Sequence, residues 1–432
     1  MSTATTTRPT PSAPAPREEE VAKPATWKLP ITLGALGLLA LVVFALGADG
    51  SARSTFGIST RADLVQIDPV ALPTRGTALV LSVLMLVLAA VAVALVVRRR
   101  RVPLALPIGY AALWLLAFLV WAIEGKQISF TGLLAGTLLL STPLVFGALS
   151  GVLCERSGVI NIAIEGQLLA GAFASAVVAS LTDSLYVGLL MAPVAGVLVA
   201  TVLAVFAIRY VVDQIIVGVV LNVLVIGLTS FFYSRVLSPQ ADTFNQPGTF
   251  RPIAIPLLSE IPVVGPVLFR QSIIVYLMYV AVALVHVALF RTRWGLRVRA
   301  VGEHPTAADT VGIKVNRVRV QNVLLGGVVA GLGGAFFTLG SVGAFGREMT
   351  AGQGFIALAA MIFGRWSPLG ALFAALLFGF ANNLQGVLGI IGTPIPSEFM
   401  LMAPYLATIF AVAGLVGRVR APAADGQPYV KA

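Results

Sequence analysis

Long apolar runs, separated by short charged or proline-rich clusters, dominate the chain. Runs of about 20 residues, the length a helix needs to cross the hydrocarbon of a bilayer, fall near 30–48, 77–97, 103–123, 132–153, 162–182, 186–208, 214–236, 271–290, 321–343, 367–387 and 399–417. A shorter run, 354–364, suits a half-helix or a short tilted span. The pattern predicts an all-α polytopic membrane protein with 10–12 transmembrane helices, twelve if the short run crosses.

Composition agrees. The 432 residues are 58% hydrophobic and 11% charged, against about 25% charged in soluble domains. A soluble chain still needs a wetted surface, so lipid must be the solvent for most of this one.

The net charge of +11 is concentrated between apolar runs, as the positive-inside rule requires of cytoplasmic loops. Arg98-Arg99-Arg100-Arg101 joins two runs, and Arg291, Arg293, Arg297, Arg299, Lys314, Arg317 and Arg319 lie in a loop at 291–320. Placing both inside, with Arg418, Arg420 and Lys431 of the C-terminal tail, needs twelve crossings and puts both termini in the cytoplasm. No basic stretch is interleaved with aromatics on a polar face, so no nucleic-acid partner is expected. The outer loops are more balanced: 49–76 sets Arg53, Arg61 and Arg75 against Asp49, Asp63 and Asp68, and 237–270 carries Pro252 to Pro266, too many prolines for a long helix.

Residues 1–29, rich in Thr, Pro and Ala with Glu18-Glu19-Glu20, read as a disordered cytoplasmic tail. Spans in 30–125 hold few polar residues and form an accessory bundle, whereas 131–417 carries buried-depth amides, carboxylates and clustered glycine and reads as the working core; 418–432 is a second cytoplasmic tail.

Two stretches carry candidate chemistry. The first is Cys154 to Gln167. Charged groups at bilayer depth cost roughly 2.5–3.5 kcal/mol each on insertion scales, so Glu155 and Glu165 call for a reason. Asn161 and Glu165 are four apart, on one face of a helix, and Gly158 and Gly166 permit a break. One reading is a discontinuous helix whose Glu155, Ser157, Gly158, Asn161, Glu165 and Gln167 line a translocation path. The other is that Asn161 caps the next span and Glu165 sits at its positive end. Asn382 and Asn383 are open to the same pair of readings, facing a path or bonding helices, and His286 is expected to bond a neighbouring helix. Gly327 and Gly331 form a small-xxx-small pair for close helix packing.

The second stretch runs from Arg293 to Ile313. Pro305 suits a first helical turn and Gly312 the position past an end, giving a short helix of about 10 Å lying along the membrane surface. It reads either as a docking element for a soluble partner or as an ordinary ordered loop. The sequence has no phosphate loop, nucleophile elbow, zinc motif or dinucleotide fingerprint. With one cysteine, Cys154, and two separated histidines, no metal site and no catalytic residue is expected.

Together and in order, three pieces resemble the permeases of the branched-chain amino acid and simple-sugar ABC importer superfamily, nearest to its nucleoside branch. They are Glu155–Gly166, Arg293–Ile313 and Met349–Gly364, and the ending from Gly414 to Ala424 is similar too. The likeness covers about 131–428; the front 1–125 departs from the usual shorter permease. The resemblance implies a multi-pass subunit of the inner membrane that imports nucleosides, with sugars or branched-chain amino acids as the alternative cargo. It implies two permeases, the second a paralogue or another copy of this chain, with an ABC ATPase and an extracytoplasmic binding lipoprotein. Glu303, His304, Pro305, Ala307, Ala308, Asp309, Val311 and Gly312 would then form the helix that couples to the ATPase. ATP and magnesium would be bound by that partner, and this chain would bind no cofactor. An ion-coupled carrier using Glu155 or Glu165 is a rival class, and a membrane-embedded enzyme another.

Overall fold

The computed structural model describes residues 27–59, 66–393, 402 and 420–431. Most of the N-terminal tail, the apolar run 399–417 and the motif at 414–419 lie outside the described residues.

Ten helices among the described residues are long and apolar enough to span. They are α1 (Lys28–Leu46), α2 (Thr74–Val97), α3 (Ala105–Ala122), α4 (Phe130–Glu155), α5 (Ile164–Thr182), α6 (Leu185–Arg209), α7 (Gln214–Leu237) and α8 (Ile273–Arg291). Two shorter helices follow, α9 (Arg293–Glu303) and α10 (Pro305–Thr310). The last two of the ten spans are α11 (Val315–Val342) and α13 (Pro368–Ile391), with the eleven-residue α12 (Gln353–Phe363) between them. The fold is all-α and polytopic, as expected; ten full-length spans stand among the described residues, and the expected run 399–417 lies outside them.

The chain divides into two compact units, Met1–Ala52 with Pro73–Glu124, and Arg53–Leu72 with Gly125–Ala432. In the first, α1 to α3 pack through Leu33, Phe44, Met85 and Tyr110, whose hydroxyl donates to Leu33 O at 2.5 Å. Trp114 stacks on Phe118 at 5.8 Å. Leu38, Val42, Val80 and Ile108 stay exposed on the outside, where a soluble bundle would carry charge.

In the second unit α4 is the axis: 89% of its apolar window is buried, against 72% for α11 and 61% for α5. The remaining helices lie around them. A small three-stranded sheet, ordered β2-β1-β3 with β1 (Arg53–Gly57) between β2 (Val70–Pro73) and the parallel β3 (Gln127–Ser129), precedes α4. Close helix contact rests on glycine. A Cβ at Gly331 would lie 2.3 Å from Ala192 O, at Gly327 2.7 Å from Gly196 O, and at Gly334 2.1 Å from Leu168 O. The stripe therefore brings α11 against α5 and α6 with backbone touching backbone.

The short run becomes a half-helix, for a legible reason. After α11 the chain turns at Gly343 (φ 78°), and Phe345 is pinned to Asn245 of the loop after α7, which accepts from Phe345 N at 2.6 Å and donates to Phe345 O at 2.9 Å. An irregular segment then descends to Gly354, where a Cβ would lie 2.5 Å from Glu165 Cα. From there α12 runs about 16 Å at 1.5 Å per residue, half a bilayer, and ends beside Glu155. Irregular segment and half-helix together return the chain to the end of the bundle that holds α9 and α10. The tail at 420–431 lies at that same end, with Ala424 N donating to Gly302 O at 2.9 Å.

Replacing Gly331 by Val should cost about 1–3 kcal/mol of overpacking and lower the melting temperature of the detergent-solubilised chain. Gly227→Ala, where no atom lies within 4 Å, should leave it within a degree or two.

Candidate functional site

Helix α8 ends at Arg291, and Thr292 caps α9 by accepting from Gly295 N at 3.1 Å. Arg293–Glu303 is strongly amphipathic: Gly295, Val298, Val301 and Gly302 are buried while Leu296 is 61% exposed. Gly302 is required for the approach, because a Cβ there would lie 2.3 Å from Arg156 O. After His304 the chain starts α10 with Pro305 in its first turn, and Gly312 (φ 84°) ends it, donating to Asp309 O at 2.9 Å.

The predicted short helix therefore exists as Pro305–Thr310, but its eight named residues divide between two environments. Glu303, His304, Ala307, Val311 and Gly312 are exposed, Pro305 and Asp309 half-buried. Ala308 is 3% exposed and packs with Val301 and Val315. Ala308 thus anchors the helix from beneath, and Val311, 75% exposed, presents its outer apolar surface. Sequence reading missed α9 as a separate helix, although its valines at 298 and 301 and its arginines at 297 and 299 carry the signal.

This helical pair is tied to four elements. Arg156 donates from Nε to Trp366 O at 2.9 Å, and Trp366 Nε1 donates to Glu155 Oε2 at 2.5 Å, joining the end of α4 to the turn between α12 and α13. The guanidiniums of Arg156 and Arg299 lie 5.8 and 5.2 Å from the Phe290 ring of α8. The C-terminal tail straps the rest: Ala423 N donates to Glu303 Oε2 at 3.2 Å, Arg319 Nη1 to Gln427 O at 2.8 Å, and Lys431 pairs with Asp309 at 3.6 Å. Asp425 reaches Glu155 and Arg319. Burial pushes its carboxyl up to about 6, against the pull of Glu155, the Gly426 N–H and Arg319.

The Cys154 to Gln167 break sits behind this assembly, and its polar groups face inward. Glu155, Ser157, Asn161, Glu165 and Gln167 are each at most 5% exposed. Asn161 Nδ2 donates to Ser150 Oγ and Gln167 Oε1, both at 3.1 Å, and α5 begins after Ala163 without a side-chain cap; the expected Asn161 cap is absent because the amide turns back to α4. Gly158 (φ 87°) makes the turn that lets Arg319 and Ala424 close on it. Gln214 Oε1 accepts from Ile160 N at 2.7 Å, and Asn222 donates to Ile162 O at 2.9 Å while accepting from Gly166 N at 2.8 Å. Glu165 does sit at a positive helix end, but mainly that of α12: it accepts from Thr350 Oγ1 at 2.6 Å, Gly352 N at 2.8 Å and Gly354 N at 2.6 Å.

Asn383 lies elsewhere, donating to Leu133 O at 2.7 Å and bonding α13 to α4; Asn382 is half-buried beside it. His286 does not make the helix–helix bond expected of it: its Nδ1 has no partner among the described residues, and the ring rests on Phe290, 5.4 Å away. Among the described residues no cluster of His, Cys, Asp and Glu is arranged to hold a metal.

Residues 133–416 match the family described as branched-chain amino acid transport system / permease component. The chain belongs to this permease family. The guanosine ABC transporter permease protein NupQ of Bacillus subtilis is 42% identical over 306 residues, 68% of this chain and 95% of the relative. The nucleoside ABC transporter permease protein NupC of Lactococcus lactis is 41% identical, over 69% of this chain and 96% of its own length. A putative glucose ABC transporter permease protein, TsgC13 of Haloferax volcanii, is 36% identical, over 64% and 89%. No solved structure matches. The family match begins at residue 133, after α1 to α3.

Because the Asp425 pKa is raised above 3.8, docking of the tail gains stability at low pH and loses it as pH rises through about 6, by roughly 1–3 kcal/mol. Hydrogen exchange at Ala424 N–H, corrected for its intrinsic rate, should be more protected at pH 5 than at pH 7.5. Asp425→Asn should flatten that difference.

Proposed function

We propose that this chain is one of two permease subunits of an ATP-driven importer of nucleosides in the cytoplasmic membrane. The second permease is a paralogue or a second copy, an extracytoplasmic lipoprotein delivers the solute, and a separate ABC ATPase supplies the work. This chain carries out no hydrolysis and binds no cofactor; ATP and magnesium belong to the ATPase.

The observation that carries the coupling role is the α9–α10 pair, exposed on its outer side at Val311 and Ala307 and joined on its inner side to α4, α11, the α12–α13 turn and the tail. A push on Val311 reaches the end of α4 through the backbone contact of Gly302 with Arg156 O. Nucleosides are the favoured cargo because the relatives at 42% and 41% identity are named for guanosine and nucleosides. A glucose-named relative at 36% makes sugars the comparison to run. Glu155, Ser157, Gly158, Asn161, Glu165 and Gln167 act in transport by holding the break that shapes the path, with Asn382 and Asn383 on a neighbouring helix.

Proteoliposomes holding this chain with its permease partner, ATPase and lipoprotein should take up labelled guanosine on addition of ATP, and continue when the membrane potential is collapsed. Uptake that follows the potential and ignores ATP would overturn the assignment. Val311→Asp should lower both uptake and solute-stimulated ATP hydrolysis about tenfold, the cost of one interface anchor of roughly 1.4 kcal/mol, with the chain still inserted.

A further inference from the structure

A cavity of about 610 Å³ opens at the cytoplasmic end of α6 and α11, a volume typical of small-molecule sites. Arg209, Arg317 and Lys431 lie on its wall, and no aspartate or glutamate does. Lys431 reaches Asp309 at 3.6 Å and is held there by the strapped tail; among the described residues no carboxylate pairs with Arg209 or Arg317. The rest of the wall is largely apolar, with Val205, Val320 and Leu324 facing Tyr429.

The cavity sits where a bilayer meets water. The last turn of α6, Val205–Arg209, is a π-turn, and Phe206 and Tyr210, 44% and 67% exposed with rings 5.8 Å apart, mark the aromatic level of the interface. From Val205 an exposed apolar stripe climbs α6 through Leu198, Val194 and Leu190, which are 63%, 46% and 71% exposed. Arg209, Arg317 and Lys431 lie at the bottom; above them runs the exposed apolar side of α6.

We propose that this groove binds an anionic phospholipid of the cytoplasmic leaflet, its phosphate between Arg209, Arg317 and Lys431 and one chain along the α6 stripe. Charge complementarity selects this occupant over a second protein chain: Arg209 and Arg317, without a carboxylate partner among the described residues, at the wet end and a mainly apolar exposed face of α6 at the dry end fit one amphiphile. Basic pockets on the cytoplasmic side of helix bundles are suited to anionic headgroups, at about 1 kcal/mol per cation. The site is distinct from the surface proposed to meet the ATPase, and it shares Lys431 with the strap across Asp309.

The test is native mass spectrometry of the full-length chain, delipidated in detergent and titrated with phosphatidylglycerol or phosphatidylcholine of identical acyl chains. The wild type should bind phosphatidylglycerol preferentially. The double change Arg209→Gln with Arg317→Gln should weaken that binding roughly thirtyfold, the loss of two surface cations. Arg209→Lys with Arg317→Lys should retain it. Arg98→Gln with Arg100→Gln, removing the same charge from another loop, should also retain it at an unchanged melting temperature. Equal binding of both lipids, or indifference to the Arg209 and Arg317 changes, overturns the proposal. Displacement of the lipid by glycerol phosphate at equal concentration would show a free-phosphate site instead. Cross-linking of Gln321→Cys to a second copy with exclusion of lipid would show a protein interface.

Discussion

A polypeptide inside hydrocarbon cannot leave its amide and carbonyl groups without partners, and this permease core breaks its helices twice at depth. Each unsatisfied backbone group costs several kcal/mol there. The first break, between α4 and α5, is repaired at the backbone by Gln214 and Asn222, while Asn161 joins Ser150 and Gln167 behind it. The second, ahead of α12, is repaired largely by Glu165, whose two oxygens take up two backbone amides and a hydroxyl. The two repairs are connected, since Glu165 opens the helix that follows the first break and closes the second. A carboxylate against the amino end of a half-helix is favoured by the helix dipole as well as by hydrogen bonding.

From this follows the layout of the end of the bundle that holds α9 and α10. Once α12 is anchored at Glu165, its far end must emerge beside the end of α4, and Trp366 meets Glu155 there. That junction offers a platform for Arg156, on whose carbonyl Gly302 of α9 rests. The tail then finds both Gly302 O and Arg319 within reach. Helices α9 and α10 are thus seated on the irregular part of the core rather than on an even bundle surface.

Most of the spans were legible because a twenty-residue apolar run has few other uses. Pro305 and Gly312 marked the ends of α10 through their backbone preferences, and the glycines at 327 and 331 announced close packing. What could not be read was partnership across distance. Nothing near Glu165 in the sequence points to Gly352 and Gly354, and the amides at 161, 167 and 222 look alike whether they line a channel or repair a break. Ala308 was read with Val311 as one docking face, yet six residues of helix are enough to turn one side inward against Val301 and Val315. The tail lacked any periodic signal, since it docks through backbone groups, which every sequence possesses.

Gly302 against Arg156 O leaves no gap for a methyl group, and that contact fixes the mechanical character of the joint. Side chains interposed between two moving parts absorb small displacements by changing rotamer; bare backbone does not. A sub-ångström shift of the α9–α10 pair would therefore reach α4 undamped, as a gear tooth passes motion without backlash.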